Sequence, residues 1–589
     1  MPPKEQSVNR LASFRQKIRS LSVPYSILFI VLLYIFIYAL SLLTGVSDVE
    51  FMGVDERSIM TSLHGLFSGP LYNMTEQYHS KAYGWTYFSI NFLVISPLKL
   101  LQVDNDFVYN VVVRATLFVI GILVGVAFYL VSIRFLSRLA SLVLAILFLL
   151  DPVASHYFVT IHPETTGMLF YLGGVYFVFK YFSEGQEKLK IYIIALTCFW
   201  LSSLSKQPFA ITSVVTILLF PLYYLVNGSV SARGYLLKKS TWNTFFLSVF
   251  VVVTLLFVVN PYAILNFSAF LEGQMGPLSH SEGRPLEEAV LLWWNQLKES
   301  PVVLANFLLL LLLPFYKTLK LSSLFVFSVL ASCVVSVLFM YMQKLIVSMT
   351  YIYPLFPVFL WNTAYALKLF LGRIEKNTYL SVATVCFLMV VVGPYFLLHA
   401  IQSVYRIHAH FLLEEKYTTH VVYSYIEELP STEKLLYMPT IAMPKTHKHN
   451  SCHVWRSCNT EQAIKKFQPD YIFVNWRYPY FEPEIIKTYM KNEPYELVHQ
   501  ISGGGDLSLN CGLPDYLMAP KSTDELANDG VSEGLSLLSE FGVLENFSIV
   551  SMGNRIGNCI DSFQGIYDTD QVSESLGDDI EVWKKVERY

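Results

Sequence analysis

The sequence predicts a polytopic α-helical membrane protein of about eleven transmembrane helices, followed by a C-terminal extracytoplasmic α/β domain. Three observations predict it. Of 589 residues, 54% are hydrophobic and only 15% charged, with a mean hydropathy of +0.45, against about 25% charged in a soluble protein. Apolar runs long enough to cross a hydrocarbon layer of ~30 Å recur through the first two-thirds of the chain. Beyond residue 400 that pattern stops, and strand-like runs alternate with amphipathic ones. The formal net charge of −3 points to no nucleic-acid partner.

Residues 1–23 carry Lys4, Arg10, Arg15, Lys17 and Arg19 against the single acid Glu5. The apolar run from Pro24 to Thr44 is too long for a signal-peptide core and lacks a small-x-small cleavage site, so it reads as an uncleaved first span. Positive charge stays inside, which makes the N-terminus cytoplasmic and puts Asp55 outside. The run Tyr83–Leu101 is short and contains Pro97. Were it a span, every later loop would invert the charge rule, so it is read as an interfacial helix within the first outer loop. Further spans fall at 108–131, 138–158, 165–182, 188–204, 208–227, 241–260, 301–316, 320–342, 347–371 and 377–400. The inside turns then collect Arg134 and Arg138; Lys180, Lys188 and Lys190; Arg233, Lys238 and Lys239; Lys317 and Lys320; and Lys368, Arg373 and Lys376. An odd number of spans leaves the C-terminus outside.

The expected domains are a membrane part over 1–400 and an extracytoplasmic part over 401–589. Outer loops at 46–107 and 261–300 belong to the first. In the second, LLYMPT, DYIFVNW and YELVHQI read as strands, and EQAIKKF and PEIIKTYMKNE as amphipathic helices. The tail from Lys521 holds 14 acids against 5 bases and is less patterned. Cys198, Cys333 and Cys386 lie in apolar runs and read as small core residues. Cys452, Cys458, Cys511 and Cys559 lie beyond the last run. One or two disulfides among them, with three possible full pairings, would suit an oxidising location; free thiols are the alternative.

This topology gathers ionisable residues at the outer ends of the spans. The first loop gives Asp55, Glu56, Arg57 and Lys81; the turn HPET gives His162 and Glu164; SKQP gives Lys206. The long loop 260–301 gives Glu272, His280 and Glu282, and the turn before YIYPLFP gives Lys344, with Tyr353 inside that motif. Ionisable groups at a membrane boundary cost free energy unless they face a cavity, so they are functional candidates by default. Taken singly, each also reads as an interfacial anchor. One chemistry uses such a set economically. A sugar on a polyprenyl phosphate already carries a charged leaving group of low basicity, so no second carboxyl is needed to protonate it. One carboxylate acts as general base on the acceptor, and Lys and Arg stabilise the departing phosphate. No G-x-x-x-x-G-K-[ST] and no strand-linked G-x-G-x-x-G is present, so no nucleotide-sugar site is in view.

These residues resemble the GT-C class of integral membrane glycosyltransferases, nearest the branch of protein O-mannosyltransferases and lipid A aminoarabinose transferase. Asp55-Glu56-Arg57 after the first span resembles that branch's acidic motif. Lys81 before AYGWTYF resembles its lysine preceding an interfacial helix, and Arg114 in VVVRATLFVIGILVG its second-span arginine. HPET resembles its second acidic site, with Glu164 where Asp is commoner. SKQP resembles its Lys-Gly turn, with Gln207 in place of the glycine. YIYPLFP resembles its Arg-Tyr-x-x-Pro-x-x-Pro element, with the cation displaced to Lys344.

The resemblance covers residues 1–400. It implies Asp55, Glu56 and Glu164 as catalytic acids, with Arg57, Lys81, Lys206 and Lys344 on the donor phosphate. His162, Tyr353 and Glu272 would touch substrate. No cofactor is required, and a divalent metal at His280 is one option beside a structural histidine. His447, His449, Cys452 and His453 could likewise take a metal, in competition with a disulfide at Cys452. The expected partners are a dolichyl- or undecaprenyl-phosphate sugar, a lipid, glycan or protein acceptor, and the bilayer. A lipid-linked sugar flippase or other transporter is the alternative, for which charged residues near mid-span would speak.

Overall fold

The structure is a computed structural model. It describes residues 23–42, 59–60, 62–63, 84–103, 105–183, 189–226, 246, 250, 253–254, 268, 301–315, 322–342, 349–374, 397–398, 400–402, 404–405, 418–438, 441, 449–454, 457–458, 460–474, 483–501 and 580–586. The chain divides into two compact units. One comprises Met1–Ala39, Thr61–Lys344 and Met349–Leu388; the other comprises Leu40–Met60, Leu345–Ser348 and Met389–Tyr589.

The described part of the first unit is helical. Its helices are α1 (Val23–Tyr38), α2 (Trp85–Leu100), α3 (Asp106–Ser132), α4 (Arg138–Leu150), α5 (Pro152–Val159), α6 (Glu164–Ser183), α7 (Leu189–Ser205), α8 (Gln207–Val226), α9 (Pro301–Leu308), α10 (Ser323–Met342) and α11 (Phe356–Ile374). Short 3₁₀ segments at Leu309–Phe315 and Met349–Leu355 extend α9 and precede α11. Two described helical stretches, Val23–Leu42 and Phe107–Ser132, are long and apolar enough to cross a membrane, or three if the bent pair α4–α5 counts as one span. This is the signature of a membrane protein. Eleven spans are not reached by the described residues. The predicted runs 241–260 and 377–400 fall almost wholly outside them, and several other apolar helices are short.

Side-chain caps mark where helices begin. Asn105 accepts from the Val108 N–H, and Ser137 from the Ala140 N–H, both at 3.3 Å, each satisfying an orphan donor of a first turn. The predicted continuous span 138–158 is instead bent by 65°. Asp151 lies between α4 and α5 and accepts from the Val153 and Ala154 N–H groups at 2.8 and 3.3 Å. Pro152, lacking an N–H, then starts the new helix without loss. Close contacts follow small residues, as expected where lipid supplies no hydrophobic drive. A Cβ on Gly174 of α6 would lie 2.8 Å from the Phe199 ring of α7.

Helix α11 is tied to its neighbours by buried polar groups. Asn362 donates to Asn306 Oδ1 at 2.8 Å and accepts from the Ser328 hydroxyl at 2.8 Å, while Asn306 donates to Ser332 Oγ at 3.0 Å. The Trp361 indole donates to the Ser132 hydroxyl at 2.8 Å and stacks on Phe128 with centroids 5.3 Å apart.

The second unit contains α12 (Thr418–Glu428), α13 (Glu461–Phe467), α14 (Pro483–Asn492) and five strands: β1 (Lys434–Tyr437), β2 (Asn450–His453), β3 (Tyr471–Val474), β4 (Tyr495–Ile501) and β5 (Ile580–Lys585). Their order is β2-β1-β3-β5-β4. The first three are mutually parallel; β5 is antiparallel to β3 and to β4. Leu435, Leu436, Ile472, Phe473 and Val582 pack with Val422, Ile426, Ile464 and Ile486 of the helices into one core. Three predicted strands and both predicted helices occur in place. Two strands were not anticipated: β2 at the edge, and β5, which rises from the acidic tail to lie inside the sheet. Cys452 and Cys458 form a disulfide with Cα atoms 5.9 Å apart, so Cys452 serves the covalent link and not a metal. Cys511 and Cys559 lie outside the described residues.

Candidate active site

The site forms where helix ends converge. Pro163 and Glu164 begin α6, with the Gly167 N–H bonded to the Pro163 carbonyl at 2.9 Å. A carboxylate in a first turn faces the positive end of the helix dipole. Glu164 is only 2% exposed, so its charge requires partners. It has two. Oε2 meets the His162 ring at Nδ1, and Oε1 accepts from the Lys206 ammonium. The His162 and Lys206 side chains are 9% and 14% exposed, so Lys206 is the member of the cluster most open to a ligand.

Each partner is fixed by its element. Lys206 occupies the junction between α7 and α8, with the Phe209 N–H bonded to its carbonyl at 3.0 Å. Helix α7 is registered against α6 by the Ser202 hydroxyl, which donates to the Gly167 carbonyl at 2.7 Å. The turn carrying His162 is held from α3, where buried Arg114 donates to the Val159 carbonyl at 2.9 Å. Helix α2 begins against the same junction. The Gly84 N–H donates to the Ser205 carbonyl at 2.8 Å and the Thr86 hydroxyl to the Leu201 carbonyl at 2.7 Å. Gly84 has φ +90°, a left-handed conformation, and a Cβ there would lie 2.9 Å from the Phe88 ring and 3.8 Å from Pro163. Glycine is therefore required at this start.

A chain of tilted and edge-on ring contacts joins the cluster to the 3₁₀ turn before α11. The Tyr353 ring lies 4.6 Å from Tyr157 and 6.4 Å from Phe209, and Tyr157 lies 6.0 Å from the His162 ring. Four sequence-predicted residues, His162, Glu164, Lys206 and Tyr353, thus share one neighbourhood. Asp55, Glu56, Arg57, Lys81, Glu272, His280 and Lys344 lie outside the described residues. Two residues of that neighbourhood escaped sequence reasoning, Tyr157 and the buried Asp151. Asp-Pro inside an apolar run was the available signal for Asp151, since the pair breaks a helix. Among the described residues, no group of three His, Cys, Asp or Glu side chains could hold a metal ion.

A carboxylate clamped between an imidazole and an ammonium, walled by aromatic rings, can orient a hydroxylated ligand and present positive charge to an anionic one. The class so defined is a helical membrane protein with a buried acid–cation cluster at its helix ends. No protein-family model and no curated protein matches the chain. Among solved structures, the crystal structure of the Archaeoglobus fulgidus oligosaccharyltransferase in complex with zinc and sulfate is similar over 86% of this chain and 80% of its own, with a TM-score of 0.40 and 12% identity. Similarity of that degree carries nothing about function.

Proposed function

We propose that this chain is an integral membrane glycosyltransferase of GT-C type. It moves a sugar from a polyprenyl-phosphate donor to a hydroxyl or amine of a lipid, glycan or protein acceptor on the extracytoplasmic face. The observation that carries the reading is the buried His162–Glu164–Lys206 cluster beside Tyr157 and Tyr353. Asp55 takes the acceptor proton as general base, with Glu56 beside it, while the acceptor atom attacks the anomeric carbon. The bond from that carbon to the phosphate oxygen breaks, and its electron pair leaves with the phosphate. Arg57, Lys81, Lys206 and Lys344 neutralise the charge that develops there. Glu164 and His162 orient the sugar, and Tyr353 and Glu272 line its pocket.

The test is sugar transfer by the purified protein in lipid nanodiscs, with a hexosyl polyprenyl phosphate as donor. Lys206→Met lowers turnover by about 100-fold or more, the scale of losing one oxyanion-stabilising group, and Asp55→Asn abolishes it. Transfer undiminished in both variants rejects the reading. One observation favours a transporter instead: Asp151, an acid at a helix break within an apolar run, is a feature of transport sites. Flipping of the lipid-linked sugar across sealed vesicles, without transfer, would select that alternative.

A further inference from the structure

We infer that Gly167 and Gly84 are positioning residues for the Glu164–Lys206 pair: they set how closely the two helix junctions carrying the acid and the ammonium approach. Glu164 begins α6 and Lys206 joins α7 to α8, so the pair depends on the spacing of those elements. Gly167 is one turn beyond Glu164, and both helices flanking Lys206 bear on it. From α7, the Ser202 hydroxyl donates to the Gly167 carbonyl at 2.7 Å. From α8, the Phe209 ring lies so near that a Cβ on Gly167 would come within 2.8 Å of two of its carbons. Any larger residue must push the two helices apart. The ring has no room to swing clear: it is buried, with the Tyr171 and Tyr353 rings each 6.4 Å away. Phe209 is also tied to Lys206, whose carbonyl accepts from its N–H at 3.0 Å.

Gly84 closes the same gap from a third side. Its N–H donates at 2.8 Å to the carbonyl of Ser205, the residue before Lys206. A Cβ on it would lie 3.8 Å from Pro163, the residue before Glu164. Gly84 therefore sits between the two backbone segments that lead into the pair. Its φ of +90° is a conformation that an L side chain resists, and the Phe88 ring leaves no space for one.

A buried ion pair offsets its desolvation only while its geometry holds, so a displacement of either junction weakens the pair itself. Gly174 supplies the contrast. A Cβ there would also lie 2.8 Å from a ring, that of Phe199, but about 15 Å further along α6 than Glu164. Helix and type of contact are the same, and the pair is remote.

The test uses the full-length protein in lipid nanodiscs. In each background, the midpoint of thermal unfolding at a fixed scan rate is measured for Lys206→Met, Glu164→Gln and both together, a cycle that isolates the coupling of the two side chains. Gly167→Ala and Gly84→Ala each cut that coupling to about half or less. Gly174→Ala lowers the midpoint but leaves the coupling intact. Adding Phe209→Leu to Gly167→Ala gives the new methyl its space and recovers the coupling. Should Gly167→Ala not fold, Phe209→Leu alone carries the test, since losing the ring slackens α8 against α6 and lowers the coupling by itself.

A second readout rests on the transferase reading. Well below the midpoints, Gly167→Ala lowers kcat for sugar transfer by about 10-fold or more, as a misplaced phosphate-stabilising cation does. Gly174→Ala lowers it by no more than about twofold. A parent protein that transfers no sugar counts against the transferase reading alone, because the coupling cycle involves no turnover. Coupling unchanged by Gly167→Ala or Gly84→Ala, lowered equally by Gly174→Ala, or not recovered with Phe209→Leu overturns the positioning role.

Discussion

Glu164 shows what a buried charge demands. Its carboxylate sits at 2% exposure with His162 on one oxygen and Lys206 on the other, and removing one partner leaves an uncompensated charge. Breaking such a buried pair costs about 3–5 kcal/mol, whereas replacing both partners by neutral groups is often close to neutral. Lys206→Met should therefore destabilise the protein strongly, and adding Glu164→Gln should restore much of the loss. Thermal unfolding in detergent at a fixed scan rate measures both. Additive losses would show that the pair is not coupled. HPET and SKQP were legible as candidate turns because a charged residue within two positions of Pro between apolar runs is conspicuous. That they meet was not, since 42 residues separate Glu164 from Lys206.

At the scale of elements, apolar length placed most of the described helices to within a few residues. It failed where a polar residue interrupts a run. Asp151 turns one predicted span into α4 and α5, because a side-chain cap followed by Pro makes a new helix start more favourable than continuation. In the second unit, local pattern found β1, β3, β4, α13 and α14. It missed β5, whose residues IEVWKK look like acidic tail until their neighbours are known. That strand pairs with β3 on one side and β4 on the other. Truncation after residue 579 should then expose two sheet edges and unfold this unit, while the helical unit persists. Limited proteolysis of the truncated protein in membranes checks it: a protease-resistant second unit would contradict the assigned sheet order.

At the scale of the whole molecule, the proposed arrangement makes the second unit extracytoplasmic. The support is the distribution of Lys and Arg among inside turns together with the Cys452–Cys458 disulfide, a bond favoured in oxidising compartments. Protease added to sealed, right-side-out vesicles should remove residues beyond 400 without prior permeabilisation. Protection of that region until the membrane is opened would invert the topology and the proposed face of the reaction.

What the amino-acid sequence by itself determined is the membrane-helical class, the approximate position of most of the described helices and the change of character near residue 400. It could do so because a lipid solvent forces the backbone to satisfy its own hydrogen bonds, so apolar length and helix become nearly synonymous. Which charges pair and where β5 inserts were decided only by the tertiary structure. Those facts depend on contacts between residues far apart in the chain, and nothing in the local sequence encodes such a contact until the fold has closed around it.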